Sequence, residues 1–137
     1  MKNLILLALV ICLGVIVIRL YTARSAPNAP SPAGKRYLTL TAEEARARLD
    51  EGEDVILLDV RTQEEYDAGH IPGAVCLPNE DITPDSPLPC GKEAEILVYC
   101  RSGRRSALAA EKLADMGYEN VADFGGILDW PYGTTTD

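Results

Sequence analysis

The stretch that decides the fold is "EILVYCRSGRRSALAAEKLADMG", residues 95–117. The almost continuous apolar run at its start predicts a strand that is covered on both faces of a parallel sheet. After a short turn, small and apolar residues recur at the spacing of a helix: Ser106, Ala109, Ala110, Leu113 and Met116. Gly117 is a suitable residue to end that helix. A strand that turns directly into a helix is the repeating unit of α/β folds.

Strands and helices alternate on both sides of this stretch. Further strands are predicted at 37–40, 55–60, 73–78 and 120–124. Thr41 with Glu44, and Thr62 with Glu65, form capping-box patterns that predict two more helix starts. A loop rich in proline and polar residues covers about 79–94. The sequence therefore predicts an α/β domain whose central sheet is mostly parallel and flanked by helices.

The amino-terminal part of the chain differs from the domain. Residues 4–18 are apolar and uncharged, which predicts an N-terminal hydrophobic helix within 1–24. Its length lies between that of a signal peptide and that of a membrane span, so cleavage and anchoring both stay open. Residues 25–36 are predicted as a proline-rich linker and 37–137 as the domain. We therefore expect an exported protein, periplasmic or extracytoplasmic, which is either soluble after cleavage or tethered to the membrane.

Charge is distributed unevenly along the 137 residues. The formal net charge is −8, yet every one of the 21 acidic residues follows residue 36, where eight basic residues give −13. Such a domain repels nucleic acid, which we exclude as a partner. Three of those eight basic residues, Arg101, Arg104 and Arg105, lie within five positions of Cys100. This concentration marks a candidate site for anions.

The loop "CRSGRR" has the features of a nucleophile joined to an anion receptor. A turn from a strand into a helix directs backbone N–H groups inward and adds the positive end of the helix dipole. These groups lower the pKa of a cysteine and hold a bound anion. We predict Cys100 as the nucleophile, with the backbone of Arg101, Ser102, Gly103, Arg104, Arg105 and Ser106 as the cradle. Arg101 and Arg105 are the predicted contacts of the donor anion, and Arg104 shapes the field.

The spacing of the last arginine distinguishes two chemistries. Cysteine phosphatases use C-x5-R, and that position is Ser106 here, whereas Arg105 lies one residue earlier. A shorter loop makes a tighter cradle, with room for an extra sulfur atom but little for a tetrahedral phosphate. The spacing favours sulfur transfer. A phosphatase or arsenate reductase remains an alternative, as does a persulfide or redox sensor that binds a partner without turnover.

Three stretches resemble the signatures of a single rhodanese domain over residues 37–132. They are "LLDVRTQEEYDAGHIPGAVCLP" (57–78), "CRSGRRS" (100–106) and "GGILDW" (125–130). The resemblance implies a three-layer rhodanese-like fold and a sulfurtransferase that needs no metal or organic cofactor. It also implies that Cys100 takes the outer sulfur of a donor such as thiosulfate, releases sulfite and becomes a persulfide. Cyanide, a thiol or the cysteine of a partner protein then accepts the sulfur.

Other residues of these signatures are predicted to support the site. Asp59 ends a strand beside the loop and is expected to brace it through backbone N–H groups, with direct tuning of Cys100 as the alternative. Arg61 is expected to pair with Glu64 or Glu65 nearby. His70, the only histidine, is expected to hydrogen-bond the backbone of its turn, and Trp130 is expected in the core.

Cys76 and Cys90 leave three interpretations open. They could form a disulfide in an oxidising compartment. Cys76 could instead only pack within a buried strand. Cys90 could be exposed and resolve a persulfide or sulfenate on Cys100.

Overall fold

The computed structural model describes residues 34–52, 54–86 and 88–137. The predicted hydrophobic helix and nearly all of the predicted linker lie outside these residues. Within the described ranges, no helix has the length and apolar character that a bilayer crossing requires.

Five parallel strands form one sheet in the order β1-β5-β4-β2-β3. The strands are β1 (Leu38–Thr39), β2 (Ile56–Asp59), β3 (Val75–Cys76), β4 (Glu95–Cys100) and β5 (Asn120–Gly126). The helices are α1 (Ala42–Glu51), α2 (Gln63–Ala68) and α3 (Arg104–Asp115), with short 3-10 helices at Asn79–Asp81 and Ile127–Asp129. The predicted α/β fold with a parallel central sheet is confirmed. The apolar run of β4 is explained by its central place in the sheet, where both of its faces are buried.

Alternate residues of β4 face two separate apolar layers, because successive side chains of a strand point to opposite faces. Val98 and Cys100 lie in the layer covered by α3, together with its predicted stripe residues Ala109, Ala110 and Leu113. Leu97 and Tyr99 lie in the other layer with Ala45 of α1, Phe124 and Trp130. Trp130 is 7% exposed, so its predicted place in the core is confirmed. The three layers position the end of β4 beneath the start of α3.

Both predicted capping boxes are present. The hydroxyl of Thr41 accepts from the backbone N–H of Glu44, and the Glu44 carboxylate accepts from the backbone N–H of Thr41. Thr62 and Glu65 make the same exchange at the start of α2. Helix α3 begins differently: its N-cap residue is Gly103, whose φ of +102° is left-handed and which provides no side-chain cap. Because no side chain caps this end of the helix, its first backbone N–H groups can donate hydrogen bonds to Cys100.

Both ends of the described domain contact residues elsewhere in the domain. Arg36 forms an ion pair with Asp115, the last residue of α3. Near the carboxyl end, His70 and Thr135 exchange both backbone hydrogen bonds, each 2.8 Å long. The chain therefore enters the domain at the end of α3 that lies farther from Cys100.

Candidate active site

Cys100 is the last residue of β4 and is only 1% exposed. Its Sγ atom accepts a hydrogen bond from the backbone N–H of Gly103 at 3.0 Å. The hydroxyl of Ser106 lies 3.5 Å from the same sulfur. The left-handed backbone of Gly103 turns the loop back over the sulfur, as the sequence predicted for a glycine at this position.

The pKa of Cys100 is lowered although the residue is buried. Burial is the largest influence and by itself raises the pKa of the thiol. It is outweighed by hydrogen bonds from the Ser106 side chain and from the backbone N–H groups of Ser106, Gly103 and Ser102. The cradle therefore favours the thiolate, which is the nucleophilic form of cysteine.

The "GGILDW" stretch supports the loop from below. A Cβ atom on Gly126 would lie 2.2 Å from the carbonyl oxygen of Arg101, so only glycine permits this close approach. The backbone N–H of Leu128 donates to that same oxygen at 3.3 Å. The Ser106 hydroxyl can donate to the carbonyl of Gly103 at 3.0 Å or to that of Gly125 at 3.2 Å. The third signature thus shapes the cradle without containing a reactive group.

The three arginines of the loop have different surroundings. Arg101 and Arg104 are exposed. Arg105 is half-buried, and its two terminal nitrogens donate to the two carboxylate oxygens of Glu65 at 2.7 and 2.8 Å. This partner was not predicted, because Glu65 lies 40 positions away in the sequence. Arg105, predicted as a contact of the donor anion, is held by α2 instead. The other predicted contact, Arg101, is exposed, and so is Arg104.

Asp59 and Arg61 form a buried ion pair with each other. The Arg61 guanidinium donates to the Asp59 carboxylate, with the shortest N–O distance 2.6 Å, and to the carbonyl of Gly69 at 2.7 Å. The Tyr99 hydroxyl also donates to Asp59, at 2.7 Å. The expectation that Arg61 pairs with Glu64 or Glu65 was therefore wrong.

The expected bracing of the cysteine loop by Asp59 was also wrong. Its carboxylate accepts the backbone N–H of Arg61 at 3.0 Å, which is not part of that loop. The physical reason is strand alternation. Asp59 is in register with Tyr99, whose side chain lies in the layer on the opposite face of the sheet from Cys100. The pair ties β2 to β4 beneath the site instead.

His70 bonds the backbone, as expected. Its Nδ1 lies 3.0 Å from the carbonyl oxygen of Tyr66, and its ring stacks on the Tyr66 ring with 3.7 Å between centroids. The residue is 3% exposed. These contacts account for the histidine as a structural residue of the turn after α2.

Cys76 and Cys90 are both free, so the disulfide interpretation was wrong. Each is half-buried, and burial raises the pKa of each thiol, in Cys76 with a further contribution from Asp59. Cys90 packs against the layer that α3 covers. Cys76 does not lie in a buried strand as predicted, because β3 is the edge strand of the sheet. The raised pKa values disfavour attack by either thiol. Among the described residues, no three metal-ligating side chains of His, Cys, Asp or Glu are grouped together.

The functional contacts that sequence reasoning missed are those of Glu65, Gly125 and Gly126. Glu65 was predicted as part of a capping box and as a possible partner of Arg61, whereas its carboxylate pairs with Arg105 across 40 positions of sequence. The two glycines lay within a recognised signature, but the pattern gave no sign of which segment they approach.

Comparison with known proteins agrees with this geometry. The Rhodanese-like domain family matches residues 41–131. A sulfurtransferase of Allochromatium vinosum is 38% identical over 92 residues, which cover 66% of this chain and 85% of that protein. Thiosulfate sulfurtransferase PspE of Escherichia coli is 35% identical over 79 residues, covering 53% of this chain and 70% of PspE.

A solved structure supports the same assignment. The crystal structure of a rhodanese-like domain protein from Staphylococcus aureus is 33% identical, with a TM-score of 0.65 and coverage of 73% of this chain and 98% of that one. The chain spans half or less of the length of several other relatives that it matches. With its three signatures, its fold and its cysteine cradle, the chain belongs to the rhodanese-like domain family of sulfurtransferases.

Proposed function

We propose that this protein moves a sulfane sulfur from an anionic donor, thiosulfate or a persulfide, to a thiol or cyanide through a persulfide on Cys100. The observation that carries the proposal is the cradle around Sγ. A nearly buried sulfur with a lowered pKa receives an N–H at 3.0 Å, in a loop with two exposed arginines. The relative named thiosulfate sulfurtransferase supports thiosulfate as the donor.

In the first half-reaction, the Cys100 thiolate attacks the outer sulfur of thiosulfate. A new S–S bond forms to Cys100, the S–S bond of thiosulfate breaks, and sulfite leaves with the electron pair of that bond. Arg101 and Arg104 attract the dianion to the loop. The N–H groups that stabilise the thiolate then stabilise the terminal sulfur of the persulfide anion.

In the second half-reaction, a thiophilic acceptor attacks the terminal sulfur. Cyanide becomes thiocyanate, or a thiolate becomes a persulfide, and the electron pair of the broken bond returns to Cys100 as a thiolate. No net proton or electron is required, so the exchange balances without an added oxidant or reductant. A small thiol and the cysteine of a partner protein are equivalent acceptors in this scheme.

The surroundings of Ser106 argue against phosphatase chemistry. This residue occupies the position of the phosphate-chelating arginine in C-x5-R enzymes, and it is fully buried with its hydroxyl between two carbonyl groups. Arg105, the adjacent arginine, already uses two nitrogens on Glu65. The arginine nearest to the chelating position therefore has no free fork with which to bind a phosphoryl group in a bidentate way.

The test is mass spectrometry of the full chain after incubation with thiosulfate and then cyanide. We expect the peptide that contains Cys100 to gain one sulfur atom, about 32 Da, which cyanide removes. Cys100→Ser should abolish the gain. Cys90→Ser should retain it, because Cys90 lies outside the loop.

Thiocyanate release should exceed one equivalent per chain, which separates an enzyme from a sensor. If one equivalent of sulfur is loaded without further turnover, the protein is a persulfide sensor and the proposal of an enzyme is wrong. Absence of loading with both thiosulfate and a low-molecular-weight persulfide would overturn it.

A further inference from the structure

Glu65 connects α2 to the cysteine loop while it also caps its own helix. One carboxylate oxygen, Oε2, accepts the backbone N–H of Thr62 at 3.0 Å and one terminal nitrogen of Arg105 at 2.7 Å. The other oxygen accepts the second terminal nitrogen of Arg105 at 2.8 Å. Both oxygens and both terminal guanidinium nitrogens are therefore engaged in a two-point contact.

This contact persists across the physiological pH range. The hydrogen bond from Arg105 is the main reason that the pKa of Glu65 falls to about 2, with further lowering by the backbone of Thr62. The pKa of Arg105 is raised, chiefly by Glu65, and the charge of Cys100 adds to the effect. Arg105 is thus close enough to Cys100 for the two charges to interact, yet its charge is balanced by a carboxylate.

The pairing of Arg105 with Glu65 reduces the number of arginine N–H groups that the loop can donate to an incoming anion. Recognition of a tetrahedral oxyanion by arginine depends on the paired N–H groups of the guanidinium fork. In Arg105 these groups face Glu65, so an anion within the loop meets the backbone amides, while the free forks of Arg101 and Arg104 lie at its exposed surface. Glu80 also lies near enough to Arg105 to raise its pKa, which adds to the negative surroundings of that guanidinium.

We propose that Glu65 is a positioning residue that sets the anion selectivity of the cysteine loop by holding Arg105. While Arg105 is held, the loop admits the outer sulfur of a donor whose anionic group stays at the exposed arginines. It disfavours phosphate and arsenate, whose oxygens must be chelated within the loop itself. The inference rests on the proposed role of Cys100 as the nucleophile of this loop. It adds a determinant of substrate class that lies on another helix.

The test compares alkylation of Cys100 by anionic iodoacetate and by neutral iodoacetamide, in each of which the thiolate displaces iodide. The full chain is used, and Cys100 is followed by peptide mass mapping. Glu65→Gln keeps an amide oxygen for the capping box and releases Arg105. We expect the iodoacetate-to-iodoacetamide rate ratio to rise roughly three- to tenfold, because one uncompensated positive charge is added beside the sulfur.

Glu64→Gln is the matched control, since it removes the same charge from an exposed neighbour on the same helix. Its rate ratio should stay within about twofold of that of the unmodified protein. Inorganic phosphate should protect Cys100 from iodoacetamide at a lower concentration in Glu65→Gln than in either of the other two proteins. If Glu65 has only a structural role, Glu65→Gln should change the alkylation rates with both reagents by the same factor.

The double variant Glu65→Gln/Arg105→Gln identifies the route of the effect. If Glu65 acts through Arg105, the double variant loses the gain in the rate ratio. An unchanged ratio in Glu65→Gln, or a gain that persists without Arg105, would overturn the inference. Alkylation requires no sulfur donor. A failure of persulfide formation would therefore reject the proposed function, whereas the rate ratios would still test the role of Glu65.

Discussion

At the scale of single residues, the Ser106 hydroxyl has one proton and three neighbours. The sulfur of Cys100 lies at 3.5 Å, and the carbonyl oxygens of Gly103 and Gly125 lie at 3.0 and 3.2 Å. When Cys100 is a thiol, its S–H donates to Ser106 Oγ, whose own proton goes to a carbonyl. When Cys100 is a thiolate, the hydroxyl proton can turn to the sulfur. Ser106 therefore adapts to both protonation states.

Replacing Ser106 by alanine should raise the pKa of Cys100. The variant loses the hydroxyl that helps to lower that pKa, while the backbone donors stay. A hydrogen bond to a charged group contributes about 1.5–3 kcal/mol, so its loss corresponds to a rise of about one to two pKa units. The pH dependence of iodoacetamide alkylation at Cys100 measures the change. Ser102→Ala is the control, because the contribution of Ser102 comes from its backbone N–H; an equal rise there would contradict the assignment.

At the scale of elements, the start of α3 depends on β5 and the turn that follows it. The helix begins without a side-chain cap and carries arginines in its first turn, which oppose the helix dipole. The thiolate of Cys100 supplies negative charge at that end, and Glu65 offsets Arg105. The close approach of Gly126 to the backbone of Arg101 fixes the distance between the cysteine loop and the turn after β5.

Gly126→Ala should disrupt the cradle without straining its own backbone. The φ of −118° is accessible to alanine, but the added methyl group would lie 2.2 Å from the Arg101 carbonyl oxygen, so the loop must move. We expect sulfur transfer to fall by at least about tenfold, as misplacement of a reacting group by an ångström does, and the pKa of Cys100 to rise.

Gly73→Ala serves as the control for Gly126→Ala. Gly73 has a φ of +84° with open space around the position of a Cβ atom, so alanine there costs stability of about 1 kcal/mol. It should leave the pKa of Cys100 unchanged. Activity of Gly126→Ala equal to that of Gly73→Ala would show that the contact is dispensable.

At the scale of the whole molecule, a buried polar network joins the sheet to the turn after α2. Asp59 accepts from the Arg61 guanidinium and from the Tyr99 hydroxyl, and Arg61 donates to the carbonyl of Gly69. The Tyr99 oxygen in turn accepts from the backbone N–H of Ile71 at 3.1 Å. Asp59 is fully buried, so the network has no access to water as a substitute partner.

Asp59→Asn should reduce the free energy of unfolding by about 3–5 kcal/mol, because it leaves the Arg61 cation buried without its counter-charge. Urea unfolding followed by circular dichroism measures the loss. Asp50→Asn is the control. It removes the exposed partner of Arg46, and it should change the same quantity by less than about 1 kcal/mol. Similar losses in the two variants would refute the importance of burial.

Most of the fold follows from local patterns in the sequence. The capping boxes at Thr41 and Thr62, and the stripe of α3, depend on residues only three or four positions apart, so their helices were predictable. The position of Cys100 followed from the end of an apolar strand. The partner of Arg61 did not follow, because Asp59, Glu64 and Glu65 all lie within four positions of it. The partner of Arg105 did not follow, because Glu65 is 40 positions away and only the packing of α2 against the loop brings the two together.

The ion pair of Arg36 with Asp115 has a practical consequence for surface chemistry. Helix α3 has 12 residues and so is about 18 Å long, with Cys100 beneath its first turn and the entry of the chain at its last. A domain immobilised on a bead or sensor chip through a group attached at residue 36 should therefore present the cysteine loop to the flowing solution. Attachment through lysines would orient it less uniformly, since Lys35, Lys92 and Lys112 lie on three separate segments of the described chain.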